Sequence, residues 1–406
     1  RSRGLGDVYK RQVLKNANLI DGVSDQPREG ATIIIDNGKI ADVMSGGSVS
    51  GEFIIDCQGG WLLPGLWDAH VHLSPFFDTP DDPIERAILY GHNAMLALSE
   101  GGITGLRVVG IDQWLDVVWK NAFASGKYLG PRILAGGHFI TTTAGHAITH
   151  PAAKEVDGPV EFARAIREEI KHGVDHIKLN LTGGIMGADW DRHWHNFLLE
   201  EEMEEAFRIS RQRDIKIVAH AANPKAVKDA VIAGAHSIEH GYIMDEEGVQ
   251  MMSERGTYFV PTLCISHLTP KQVTNKWEHE YLELAKIPDR LVGRADDAMP
   301  QHREWFQAAL RSNLKMAVGS DIGPLKDGAL LEMGLWVRDG ATPMQAIHGA
   351  TRIAAEVSGV GTQFGTVEFG KIADLIVLAD NPLDDINNIR SLQMVFKEGV
   401  LVVDKR

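Results

Sequence analysis

An alternation in the middle of the chain constrains the fold most. Between about residues 64 and 359, eight short apolar runs are separated by longer amphipathic stretches. The runs cover 66–70, 103–109, 132–136, 176–179, 215–220, 237–240, 258–263 and 316–320. Helical periodicity fills the gaps, as in 160–172, 200–213, 224–233, 246–255 and 294–313. Strands that alternate with helices pair in parallel, and eight such units close into a barrel.

Both chain ends read differently. Residues 31–36 and 39–43 flank Asn37-Gly38, a pair suited to the positive φ values of a tight hairpin. A further strand is predicted at 53–56, and the C-terminal runs 375–378, 394–397 and 400–403 answer in kind. The expected architecture is therefore α/β: a (β/α)8 TIM barrel over 64–359 with a small β-sandwich domain built from 13–63 and 360–406. Residues 1–12 (RSRGLGDVYKRQ) are basic and lack an apolar pattern, so they read as an extension foreign to the fold. They do not form a secretory signal, which leaves a cytoplasmic location as the default expectation.

Composition removes several function classes. No run approaches 18 uncharged apolar residues, which speaks against a membrane-spanning helix. With 41 Lys and Arg against 55 Asp and Glu, the net charge of −14 disfavours a general nucleic-acid binder. Cys57 and Cys264 are too few and too isolated for a disulfide framework or a Cys-rich zinc module. There are 17 histidines, and their placement carries the information.

In α/β barrels the chemistry sits at the C-terminal ends of the strands. The first run ends Asp68-Ala69-His70-Val71-His72, and strand alternation points His70 and His72 to one face, as chelation of one metal requires. Alone this spacing is weak, since His193-Trp194-His195 repeats it in a segment without strand character. Lys178 lies inside the fourth run, where a charged amine is costly to bury and burial lowers its pKa. It forms either an ion pair or a neutral amine that adds carbon dioxide to give a carbamate. His220 and His240 end the fifth and sixth runs, and Asp321 follows the eighth. Imidazoles bind zinc and its neighbours, while a carboxylate can both bind metal and move protons. Each residue alone is ambiguous. Six metal-competent groups at the ends of runs one, four, five, six and eight point to a metal centre.

These residues resemble a known family. The stretch Pro64–His72 (PGLWDAHVH), with Lys178, His220, His240 and Asp321, is similar to the amidohydrolase superfamily in its binuclear form with a carboxylated lysine. Gly370–Leu375 (GKIADL) resembles that family's return strand. Gly136-Gly137-His138 and Glu239-His240-Gly241-Tyr242 resemble the branch with imidazolonepropionase-like proteins and metal-dependent Xaa-Pro dipeptidases. Imidazolonepropionases proper use the one-metal form without the bridging lysine, so Lys178 argues against that identity.

The resemblance implies roles. His70, His72 and Asp321 would hold the more buried metal, and His220 with His240 the more exposed one. Lys178, as its carbamate, would bridge two divalent ions, with zinc the default. A water shared by two cations about 3.5–4 Å apart becomes nucleophilic near neutral pH. Asp321 would carry its proton to the leaving nitrogen. His138 and Tyr242 are candidate donors to the oxyanion or to a substrate carboxylate, although a loop-orienting His138 and a packing Tyr242 are equally good readings. Arg107 is a candidate carboxylate anchor, but an internal ion pair with Asp or Glu is the stronger reading. Glu239 reads as structural, because regular alternation turns it away from His240. The long connections 141–146, 182–196 and 264–291 are candidate specificity loops, and Trp190 and Trp194 could wall a substrate or fill a subunit contact.

The leading reading is a hydrolase of dipeptides or N-acyl amino acids, with an Xaa-Pro dipeptidase foremost by branch resemblance. The same site would also suit cyclic amides, lactones or phosphotriesters, or one-metal deamination. A metal-binding protein without catalysis is the reading from another class. A small-molecule or dipeptide substrate is expected, with neither nucleic acid nor membrane as partner, in a homo-oligomer.

Overall fold

The computed structural model describes residues 11–46, 53–74 and 79–406. The N-terminal strands are β1 (Gln12–Leu19), β2 (Arg28–Asp36), β3 (Lys39–Ser45), β4 (Phe53–Asp56) and β5 (Trp61–Pro64). The middle contributes β6 (Leu66–Val71), β7 (Ile103–Val108), β8 (Arg132–Leu134), β9 (Phe139–Thr141), β10 (Ala153–Glu155) and β11 (His176–Asn180). It continues with β12 (Lys216–Ala221), β13 (Ser237–His240) and β14 (Tyr258–Val260). The C-terminal end adds β15 (Leu375–Leu378), β16 (Leu392–Lys397) and β17 (Val400–Asp404).

The two ends of the chain build one eight-stranded sheet in the order β17-β16-β15-β5-β1-β2-β3, with β4 paired to β1. Asn37 and Gly38, at φ 51° and 74°, make the β2–β3 turn, the geometry that matches strand twist. Leu14, Ile33 and Ile35 from the N-terminal strands share one buried cluster with Leu375, Val377 and Phe396 from the C-terminal ones. The reading of 1–12 as foreign to the fold is corrected at Gln12, which opens β1 opposite Ile35 and Phe53. Residues 1–10 of that reading lie outside the described residues.

The middle strands form parallel sheets β6-β7-β8 and β10-β9-β11-β12-β13-β14. Helices pack between and around them, and each has a local cause. In Pro224–Ala233, Asn223 accepts a hydrogen bond from the Ala226 amide, proline occupies the first turn, and Gly234 at φ 101° ends the helix. Its buried side chains, Ala226, Val227, Ala230 and Val231, fall on one helical stripe. No helix among the described residues is long and apolar enough to cross a membrane.

The expected single eight-stranded ring is corrected in two places. The eighth run forms no strand. It is an extended segment that bonds on one side to β14, through Phe259 N to Lys315 O (3.0 Å) and Ala317 N to Phe259 O (2.9 Å). On its other side Ala69 N donates to Val318 O (2.9 Å) and Asp321 N to His70 O (2.8 Å). Between β8 and β11 the link is Asp175 N to Ala135 O at 2.7 Å, because the chain turns away at Gly136-Gly137 and β9 takes the place beside β11. Gly319 lets the eighth segment lie against β6, since a Cβ there would stand 2.7 Å from His70 Cβ. That close approach brings Asp321 to the histidines of β6.

Candidate metal centre

His70 and His72 project from the end of β6, and hydrogen-bond acceptors fix their rings. His70 Nδ1 lies 2.6 Å from Glu239 Oε2, and His72 Nδ1 lies 2.8 Å from Gly110 O. With Nδ1–H donating to these oxygens, each ring turns an Nε2 lone pair toward Asp321, whose Oδ1 is 3.6 Å from His70 and 3.2 Å from His72. At the end of β13, His240 Nδ1 lies 2.7 Å from Thr262 Oγ1, and Thr262 in turn donates to Pro261 O. His240 thereby also presents Nε2. His220 differs. Its Nε2 is held by Gly183 O at 2.9 Å, which leaves Nδ1 as the free lone pair.

The rings of His70 and His240 are 4.9 Å apart, and those of His220 and His240 4.4 Å apart. Ligand atoms of His70, His240 and Asp321 all lie within 4.8 Å of one another. His240 and Asp321 have φ values of 70° and 55°, unusual for residues with a Cβ. At both, the backbone leaves the extended form as the run ends.

Lys178 sits in β11, paired with Val218 and Phe139, and its Nζ is buried without a hydrogen-bond partner among the described residues. Burial pulls its pKa down to about 8, against the opposing pull of Glu239 and Asp321. A buried amine that is neither paired nor fully charged, facing imidazoles and a carboxylate, is costly as it stands. This donor set fits divalent cations, and an amine made anionic by carboxylation would remove the orphan. Burial also lowers His70 to about 4 and holds His220 and His240 far below the usual histidine value, so these ligands are neutral at physiological pH. The Asp321 carboxyl stays below the ordinary range: burial pushes it up, but His70, His72 and Lys178 outweigh that.

At Arg107 and His138 the structure selects between the two readings the sequence left, and at Glu239 it corrects the direction. Arg107 is fully buried and fully used: Nε donates to Ala69 O at 2.5 Å, Nη1 to Ser237 Oγ at 3.0 Å, and Nη2 to Glu239 at 3.0 Å. It cannot anchor a substrate. Glu239 does not turn away from the centre; it lies under His70, because the left-handed backbone at His240 brings consecutive residues inward. His138 leaves the centre altogether. After Gly137, at φ 62°, it bonds Glu169 at 3.2 Å, accepts from the Gln113 amide at 3.3 Å, and meets Trp114 edge-on. The next residue, Phe139, reaches the cavity instead. Tyr242 stacks on His240 with ring centroids 5.3 Å apart and is not among the cavity walls.

A cavity of about 420 Å³ opens over His70, His72, Lys178, His220, His240 and Asp321. Two further histidines line it. His146 comes from the loop after β9, its ring 4.2 Å from His220 and its Nδ1 2.8 Å from Asp191 Oδ2. His150 bonds Ser74 at 3.3 Å, and burial lowers it to about 3. Asp191 also accepts from the amides of Ala147 and Gly184, so one buried carboxylate clamps two of the candidate specificity loops. Arg290 also lines this cavity and brings a guanidinium to its wall. Only the loops of His146 and Asp191, not their pairing, were legible in the sequence.

Comparisons with known proteins agree with this geometry. The profile of the Amidohydrolase family matches residues 61–402. Ochratoxinase from Aspergillus niger is 26% identical over 97% of this chain and 87% of its own length. A crystal structure of a Xaa-Pro dipeptidase with methionine bound in its active site superposes with a TM-score of 0.85 at 30% identity, over 96% of this chain and 99% of that one. A prolidase complexed with N-methylphosphonate-L-proline superposes with a TM-score of 0.83 at 26% identity, over 97% and 100% of the two chains.

Proposed function

The chain belongs to the amidohydrolase family, and on that premise we propose that it is a binuclear metallohydrolase of small amides that carry a carboxylate, foremost an Xaa-Pro dipeptidase. The observation that carries this reading is the buried Lys178 Nζ, without a hydrogen-bond partner among the described residues, set among the histidines and Asp321. His70, His72 and Asp321 would hold one cation and His220 with His240 the other, with Lys178 as a carbamate between them. Zinc is the ion that an imidazole-rich set of this kind favours. When bound, the two cations polarise the amide carbonyl and lower the pKa of a water.

The residues of the chain do the rest. Asp321, ionised at neutral pH, accepts a proton and delivers it to the leaving nitrogen, which is too basic to depart as an anion. His146, steadied by Asp191, offers its other ring nitrogen to the substrate's carbonyl or carboxylate. Arg290 is the cavity-wall guanidinium offered to the carboxylate, its Nη1 donating to Gly187 O at 2.8 Å and lying 3.9 Å from Asp189 Oδ1. Tyr242 supports the His240 ring from behind. In this reading the sheet of the chain ends is a small β-sandwich domain (13–63 and 360–406) framing the barrel (64–359). The names of the structural relatives, Xaa-Pro dipeptidase and prolidase, favour proline as the released residue.

The test is a panel of dipeptides and N-acyl amino acids that differ in the C-terminal residue, assayed for release of free amino acid with the metal-loaded protein. Cleavage concentrated on X-Pro substrates is the expected result. Hydrolysis of lactones or cyclic amides, with none of the acyclic panel, would replace this reading.

A further inference from the structure

A second cavity of about 520 Å³ adjoins the first and shares Ser74 and Met186 with it. Its walls include Ile265, Tyr281, Leu284, Ile287, Ile322 and Leu325. Ile322 directly follows Asp321 in the chain, so this chamber, mainly apolar with Asn93 and Lys286 also in its wall, begins one residue from the proposed proton carrier. Both volumes fall in the range of small-molecule sites. Glycyl or acetyl groups would leave the second chamber unfilled.

We propose that the second chamber receives the acyl half of the substrate, and that the enzyme acts on prolines N-acylated by a large apolar group, such as a medium-chain or aromatic acyl. This rests on the amide-hydrolase reading above. The assignment of halves follows from bonding. The carboxylate of an N-acyl amino acid is separated from the scissile nitrogen by a single carbon, so it must stay in the first chamber, where Arg290 stands. Proline's own ring is compact and also remains there. The group long enough to reach past Ser74 and Met186, the wall residues the two cavities share, is then the acyl chain. Each methylene that leaves water for this chamber should raise kcat/KM about threefold to fourfold.

The test compares N-acetyl-L-proline with N-octanoyl-L-proline on the metal-loaded wild type and on two variants that fill the chamber, Leu284→Trp and Ala285→Phe. Leu284 is 68% exposed at its wall, so the fold tolerates a larger side chain there. Octanoyl carries six more methylenes than acetyl, so the expected wild-type ratio of kcat/KM, octanoyl over acetyl, is on the order of a thousandfold, and it falls toward unity in the variants. A wild-type ratio near one, or one unchanged in both variants, overturns the inference while leaving the hydrolysis of acylprolines intact. If neither compound is cleaved, the inference falls together with the reading it rests on.

Discussion

Glu239 Oε2 lies 2.6 Å from His70 Nδ1, and the same carboxylate receives both 3.0 Å contacts from Arg107 Nη2. A buried Arg–Glu–His chain therefore reaches from inside the strands to a metal-competent nitrogen. Charge pairing explains why Glu239 stays ionised: burial pushes it up, but Arg107, His70 and Lys178 pull it well below the usual range. Such partners orient a ligand and raise its basicity.

Replacing this carboxylate should therefore cost both metal affinity and stability. In Glu239→Gln, chelator competition is expected to show metal binding weakened about 10–100-fold. Thermal unfolding should show a loss of about 3–5 kcal/mol, because Arg107 keeps a buried charge without a counter-charge. Unchanged affinity with unchanged melting would mean that the Glu239 contact is incidental.

The second prediction concerns pH. Carboxylation needs the neutral amine of Lys178, whose pKa is near 8, while His70 sits near 4 and the other buried ligands titrate well below the usual histidine value. Between pH 6.5 and 8.5 Lys178 is thus the group among them that changes charge. Metal-free protein given metal and equal dissolved carbon dioxide at each pH should recover activity faster at pH 8.5 than at 6.5, by a factor on the order of twenty, following the neutral-amine fraction. The same depression means that the metal-free chain gains stability as pH rises from about 8 toward the ordinary lysine value, where the unfolded chain binds more protons. A reconstitution rate flat across this range would contradict the role given to Lys178.

Asp321→Asn tests proton transfer. The amide of asparagine can still accept and donate hydrogen bonds but cannot shuttle the proton, so kcat should fall about 10²–10⁴-fold with KM little changed. Steady-state kinetics on the best X-Pro substrate would read this, and near-normal kcat would remove Asp321 from the role.

Asp191 should govern substrate affinity rather than chemistry. It holds His146, Ala147 and Gly184 together. Asp191→Ala is expected to raise KM by about tenfold or more, since two loops lose one charged clamp, while metal content stays at the wild-type level. Loss of metal in this variant would instead make the clamp part of the metal site.

Much of this was readable from residues alone, for physical reasons. Strand periodicity located seven of the middle strands, and the alternation through Asp68-Ala69-His70-Val71-His72 gave the right facing for both histidines. The eighth run escaped because its register is set by neighbours on either side and by Gly319, not by its own pattern. Glu239 was misread because alternation presumes extended backbone, and His240 departs from it. His138 carried two open readings because a glycine pair can turn the next side chain to either side. The pairing of His146 with Asp191 joins two loops 45 positions apart, and nothing in local sequence announces such a contact.

The most direct test of the central claim is metal per chain, by elemental analysis of wild type and Lys178→Ala purified without chelator. Two metals in the wild type and one or fewer in the variant, with loss of amide hydrolysis, are the predicted result. A variant that keeps two metals and full activity would contradict it, and Lys178 would then be an ordinary buried lysine.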